Sequence, residues 1–182
     1  MCKALVAVKH RMVTELERTD INRFLVRRET IYYYMNRDLE DLPLELIDRS
    51  ITVRNLREDE LEEFVDLVNT CLMHCPDPFV SMTLDFAKKW PLEQTLVAEI
   101  DGRLVGFLMF ESRGKMGLPV QLGVLPEYRR RRIGTTLLLS LLERFREQGI
   151  EEIRMKVFKN NAPALSLYKK LKFKVYGLTI EG

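Results

Sequence analysis

The sequence predicts a mixed α/β domain, with one central mixed β-sheet flanked by helices, preceded by an N-terminal extension. Three observations carry this. From Ser50 onward, stretches that alternate with period two trade places with stretches of helical spacing. Two apolar runs meet at Asp101-Gly102, the strongest short-range hairpin signal. The chain has 182 residues, of which 46% are hydrophobic, enough for a sizeable core without a disulfide or metal staple.

Residues 1–49 read as the extension and 50–182 as the domain. In the extension, "VTELERTDINRFLVRRE" shows weak helical spacing, and "TIYYYMNRD" suits a pleated surface and reads as an added strand. "LEDLPLELIDRS" is a proline-marked linker.

"SITVRNL" opens the domain as a strand. "REDELEEFVDLVNTCLMHC" follows as an amphipathic helix. Its acidic first turn suits the positive end of the helix dipole, and Leu61, Phe64, Val65, Val68, Cys71 and Leu72 share one face. "CPDPF" breaks it, and "SMTLDFAKKW" is a shorter helix with Ser81 as its expected cap. "TLVAEIDGRLVGFLMFES" is the hairpin and "LPVQLGVL" the next strand. In "RIGTTLLLSLLERFREQG", Ile133, Leu137, Leu138, Leu141, Leu142 and Phe145 line one face, and Gly149 is a natural stop. "EEIRMKVF" is a strand, "NAPALSLYKKL" a helix capped by Asn161, and "FKVYGLTI" the last strand.

Charge and cysteine usage narrow the function classes. Lys+Arg is 29 against 27 Asp+Glu, a net +2. A nucleic-acid-coating protein usually carries a larger, clustered excess, so no nucleic acid is expected as partner. No apolar run reaches membrane-span length, and three cysteines do not make a secreted disulfide framework. The expectation is a cytoplasmic protein without a membrane partner. Cys71, His74 and Cys75 invite a zinc reading, but no fourth ligand is evident, so core thiols are expected and no metal.

The unusual stretch is "YRRRRIGTT", residues 128–136, in the turn from a buried strand to a long helix. Helix N-termini carry unpaired amides and favour an anion. Gly134 lets a diphosphate approach the backbone, and Thr135 adds a hydroxyl. A solvated turn and a nucleic-acid patch are the competing readings.

The flanks sharpen this. "VLPEYRRRRIGTTLL", followed by "NNAPALSLYKKLKF", resembles the GNAT superfamily of N-acetyltransferases. Val124, Pro126, Glu127, Tyr128, Arg129 and Gly134 match its phosphate-loop pattern and the run before it. Asn161, Ala164, Leu167, Tyr168, Leu171 and Phe173 match its later pattern. The resemblance extends from Ser50 to about Val175. Two positions depart from it. Arg132 stands where the family usually has its first glycine, and Lys172 replaces the glycine before Phe173. A tight turn with negative φ is the expectation at Arg132.

The resemblance implies the GNAT acyl-CoA N-acyltransferase fold and acetyl-CoA as cosubstrate, bound where two strands splay apart. It implies that Leu122, Gly123 and Val124 pair with the pantetheine arm, with the Val124 amide polarising the thioester carbonyl. Arg129, Arg130, Arg131, Arg132, Ile133, Gly134 and Thr135 hold the phosphates, and Asn161 contacts pantetheine. An amine of a small molecule or peptide attacks directly, and Tyr168 protonates the leaving thiolate. A catalytically weak CoA-binding sensor or interaction module is the alternative, and a homodimer is left open. The base has no clear candidate. Gln121 stands where relatives place a carboxylate, and Lys156 stands where N-terminal acetyltransferases have a glutamate. Glu99 and Glu111 remain, with outward-facing surface roles expected. Trp90 is expected in the core or beside the acceptor.

Overall fold

The computed structural model describes residues 30–75 and 80–181. The helical reading within residues 1–29 and the break at 76–79 lie outside these. Seven strands form one sheet in the order β2-β3-β4-β5-β6-β1-β7. They are β1 (Thr30–Asp38), β2 (Thr52–Asn55), β3 (Thr95–Ile100), β4 (Arg103–Arg113), β5 (Met116–Val124), β6 (Glu152–Phe158) and β7 (Lys174–Glu181). Among the described residues four α-helices accompany them: α1 (Leu61–Met73), α2 (Leu84–Lys89), α3 (Ile133–Glu147) and α4 (Ala162–Lys170). The linker "LEDLPLELIDRS" contains a short 3₁₀ turn at Leu44–Leu46.

Two apolar layers clasp the sheet. On one face α3 buries Leu137, Leu138, Leu141, Leu142 and Phe145 completely, and α4 lies against the same layer. On the other face α1 packs through Phe64 and Val68, with Phe64 edge-on to Phe107 at 5.7 Å. Trp90 belongs to this second layer, 6.1 Å from Phe86. The cap of α2 is Thr83, which accepts the Phe86 amide at 3.2 Å. Ser81 was the expected cap, but only the residue three before Phe86 can reach that amide.

The extension's strand is integral to the sheet. β1 runs antiparallel to β6 on one side and to β7 on the other. Arg37 fastens it there. This buried guanidinium donates to the carbonyls of Asp38, Asp41 and Leu171 at 2.7, 2.8 and 2.6 Å and lies over the Phe173 ring. The end of α4 is thereby tied to the strand that precedes the domain. Burial lowers the Arg37 pKa from its ordinary value, against the raising effect of Asp38 and Asp41.

One feature of the ladder creates the site. β5 and β6 are the parallel pair, and they are matched only at Met116↔Glu152 and Gly117↔Ile153. A Cβ on Gly117 would sit 2.6 Å from the Phe145 ring, so glycine lets α3 press against this junction. Beyond it the strands part. Pro119 offers no amide to a ladder, and a register shift between β4 and β5 falls beside it, between Met109 and Phe110. Residues 118–124 of β5 are left with no strand on the β6 side.

Candidate active site

The open edge of β5 supplies donors. Leu125 donates to the Val105 carbonyl of β4 at 3.0 Å. Amides alternate sides along a strand, so those of Leu122 and Val124 point away from β4 into the splay. Gly123, between them, lies directly opposite Phe107. A Cβ there would come within 2.4 Å of the Phe107 ring.

At the head of the splay stands the arginine run. Pro126–Tyr128 form a 3₁₀ turn, in which Tyr128 and Arg129 donate to Leu125 and Pro126 at 2.9 and 3.3 Å. The next amide with a backbone acceptor is that of Thr136, bonded to Arg132 at 2.9 Å. Those of Arg130, Arg131, Arg132, Ile133, Gly134 and Thr135 have no acceptor among the described residues. Arg130 and Arg132 are left-handed, at φ 65 and 60. Left-handed residues in a tight turn bring successive amides toward a common point, as in anion-binding nests. No acidic side chain occupies the first turn of α3.

The expectation of negative φ at Arg132 is therefore corrected, because the αL turn is retained without glycine. Lys172, the other departure, is left-handed as well, at φ 63. Each costs about 1–2 kcal/mol against a right-handed residue. Arg132→Gly should accordingly raise unfolding stability by about 1 kcal/mol, read as a rise in the denaturant midpoint. An unchanged or lower midpoint would mean that the side chain repays its backbone.

The guanidiniums divide. Arg129 braces the turn, donating to the Val124 and Cys71 carbonyls at 3.1 and 3.4 Å. Arg131 and Arg103 lie over the Tyr128 ring at 5.3 and 5.6 Å. Arg130 and Arg132 are exposed and donate to no group among the described residues. Gly134 faces the splay, since a Cβ there would meet Leu122, Val124 and Leu167 only at ordinary contact, 3.6–3.9 Å.

Deeper in the splay is a narrow cleft lined by Tyr168, Lys156, Gln121, Leu122 and Met155. Tyr168 is half-buried on α4, its ring 5.8 Å from Phe173 and its carbonyl accepting the Phe173 amide at 2.9 Å. Asn161 caps α4 by accepting the Ala164 amide at 3.2 Å. Its Nδ2 also donates to the Cys75 sulfur at 3.6 Å, joining the start of α4 to the end of α1.

The site thus brings together Leu122, Val124, the turn amides, Gly134 and Tyr168. Glu99 instead bonds Arg54 at 2.6 Å, and Glu111 pairs with Arg113, so neither reaches the cleft. Burial pushes the Cys71 thiol up to about 12, which makes it a core group. No group of three or more His, Cys, Asp or Glu able to hold a metal occurs among the described residues. Two contacts were absent from the sequence reading. The Cys75–Asn161 contact joins residues far apart in the chain and leaves no local signal. Arg37 leaves one: it follows Met35 at strand spacing, a charged residue on the inward face.

Residues 53–173 match the acetyltransferase (GNAT) family. An acetyltransferase of Sodalis glossinidius is 30% identical over 123 residues, 68% of this chain and 87% of its own. An N-alpha-acetyltransferase of Saccharolobus solfataricus is 31% identical over 139 residues, 69% of this chain and 81% of its own. Among solved structures, a GCN5-related N-acetyltransferase from Sphaerobacter thermophilus superposes with a TM-score of 0.68 at 20% identity, over 85% of this chain. The match spans about half of that longer protein, 51%. A PaiA N-acetyltransferase from Thermoplasma acidophilum, in complex with coenzyme A, superposes with a TM-score of 0.56 at 24% identity. That match covers 66% of this chain and 87% of the other.

Proposed function

This chain belongs to the acetyltransferase (GNAT) family, and we propose that it moves an acetyl group from acetyl-CoA to an amine of a small molecule or peptide. The observation that carries the reading is the run of amides from Arg130 to Thr135 without acceptors, at the head of a splay whose open edge presents those of Leu122 and Val124. A diphosphate suits the turn, because several amides, the helix dipole and the exposed Arg130 and Arg132 all favour negative charge. The pantetheine amides then suit the edge of β5. The coenzyme A held by the Thermoplasma relative supports the same ligand class.

In this proposal the acceptor nitrogen attacks the thioester carbon directly. The Val124 amide steadies the developing oxyanion. As the C–S bond breaks, the Tyr168 hydroxyl gives its proton to the leaving thiolate, while the acylated nitrogen sheds its surplus proton to water and the phenolate is reprotonated from solvent. The residues lining the cleft include no carboxylate, so the amine arrives uncharged or loses its proton to water. The name of the Saccharolobus relative supports a peptide α-amine. Lys156, five residues before Asn161, departs from the glutamate of that subgroup and keeps small amines in the reading.

The test is free-thiol release from acetyl-CoA across a panel of peptides and small amines. We expect turnover that rises with pH through the acceptor's own amine pKa. Acetyl-CoA binding without thiol release for any amine would favour the sensor reading. No binding would remove both.

A further inference from the structure

The strand β7 ends the sheet, and its outer edge pairs with no strand among the described residues, although Tyr34 and Arg154 pack on the Tyr176 ring. Val175, Tyr176, Leu178 and Ile180 are 47, 52, 61 and 55% exposed, and the other exposed large hydrophobics among the described residues are Met73 and Val80. An uncovered edge strand presents unpaired amides and carbonyls as a template for another strand. Single exposed apolar residues are ordinary, whereas four along one edge strand mark an interaction surface.

We propose that a second copy of this chain docks here, with the two β7 strands pairing antiparallel about a two-fold axis through Leu178. The argument is self-complementarity. Leu178, Ile180 and Val175 stand opposite Tyr33, Ile31 and Met35 of β1, so they share one face of the sheet. Lys174 and Glu181 stand opposite Asn36 and Thr30, on the other face. The β1–β7 register shifts between Tyr34 and Met35, so that Tyr176 is passed over. With Leu178 opposite its own copy and Tyr176 passed over in the same way, Val175 meets the second copy's Ile180 and Lys174 meets its Glu181. Apolar residues then meet apolar ones on one face, and on the other Lys174 reaches a Glu181 carboxylate that also accepts from Lys156 within its own copy. An isologous contact requires this self-match. The joined strands would make one continuous sheet through both copies.

Sedimentation equilibrium of the full chain over a concentration series tests this. A dimer is expected for the native sequence. Leu178→Lys places two lysines face to face and should raise the dimer dissociation constant by about tenfold or more. Leu178→Ser should raise it less. Both variants should keep the native circular dichroism spectrum, since Leu178 is mostly exposed. A native chain that stays monomeric, or a dimer that Leu178→Lys leaves intact, would overturn the proposal. Dimerisation only after removal of residues 1–29 would also overturn it, and would make those residues the occupant of the face.

Discussion

Replacing Tyr168 by phenylalanine is expected to lower acetyl transfer by about a hundredfold or more, the usual share of a positioned general acid, while acetyl-CoA affinity stays within about twofold. The substitution removes one oxygen and keeps the ring. The ring's packing against Phe173 and the carbonyl bond to the Phe173 amide therefore persist, and α4 should hold its place. Steady-state thiol release at saturating acceptor, beside calorimetric titration of acetyl-CoA, reads both quantities. Because the lost proton donor matters only once charge develops on sulfur, the fall belongs in kcat. Transfer at the native rate would remove Tyr168 from the chemistry. Equal losses in affinity and rate would make it a wall of the cleft.

Gly134→Asp separates the helix from the anion it is proposed to hold. The position has room for a side chain, with its nearest neighbours at 3.6–3.9 Å. Glycine in a helix costs roughly 0.5–1 kcal/mol relative to alanine, and a carboxylate in the first turn adds about 0.3–1 kcal/mol through the dipole. The free protein should therefore be as stable as the native one, or more so. Acetyl-CoA binding should weaken by at least about tenfold, because the carboxylate competes for the same amides and repels the diphosphate. Thermal melts without ligand and titration with it measure opposite signs in one variant. Parallel losses in both would indicate a packing defect, and unchanged affinity would place the phosphates elsewhere.

Much of this was legible in the chain because the signals are local. Asp101-Gly102 marks its hairpin by turn chemistry, and the leucines of α3 mark its buried face by period. "VLPEYRRRRIGTT" marks a strand-to-helix turn by its flanks. The left-handed Arg132 was not legible, since arginine has no preference for that region and the turn is imposed by the strand end and the helix start together. The place of β1 was legible as a strand and illegible as to partners. Nothing in "TIYYYMNRD" says that it enters between β6 and β7. The splay was likewise hidden, because it depends on where pairing stops, after Gly117↔Ile153. Pro119 is the one local hint of it. From sequence, Lys156 and Gln121 stood out only as departures from the family's carboxylates, and only the diverging strands show that both line the cleft.

Backbone amides of the arginine turn are proposed to hold the cofactor's phosphates. Amide hydrogen exchange followed residue by residue, with and without acetyl-CoA, tests it most directly. The amides of Arg130 to Thr135 should exchange fast in the free protein, lacking acceptors, and slow markedly on binding, together with those of Leu122 and Val124. Protection confined to other segments, with the turn exchanging as fast as before, would contradict it.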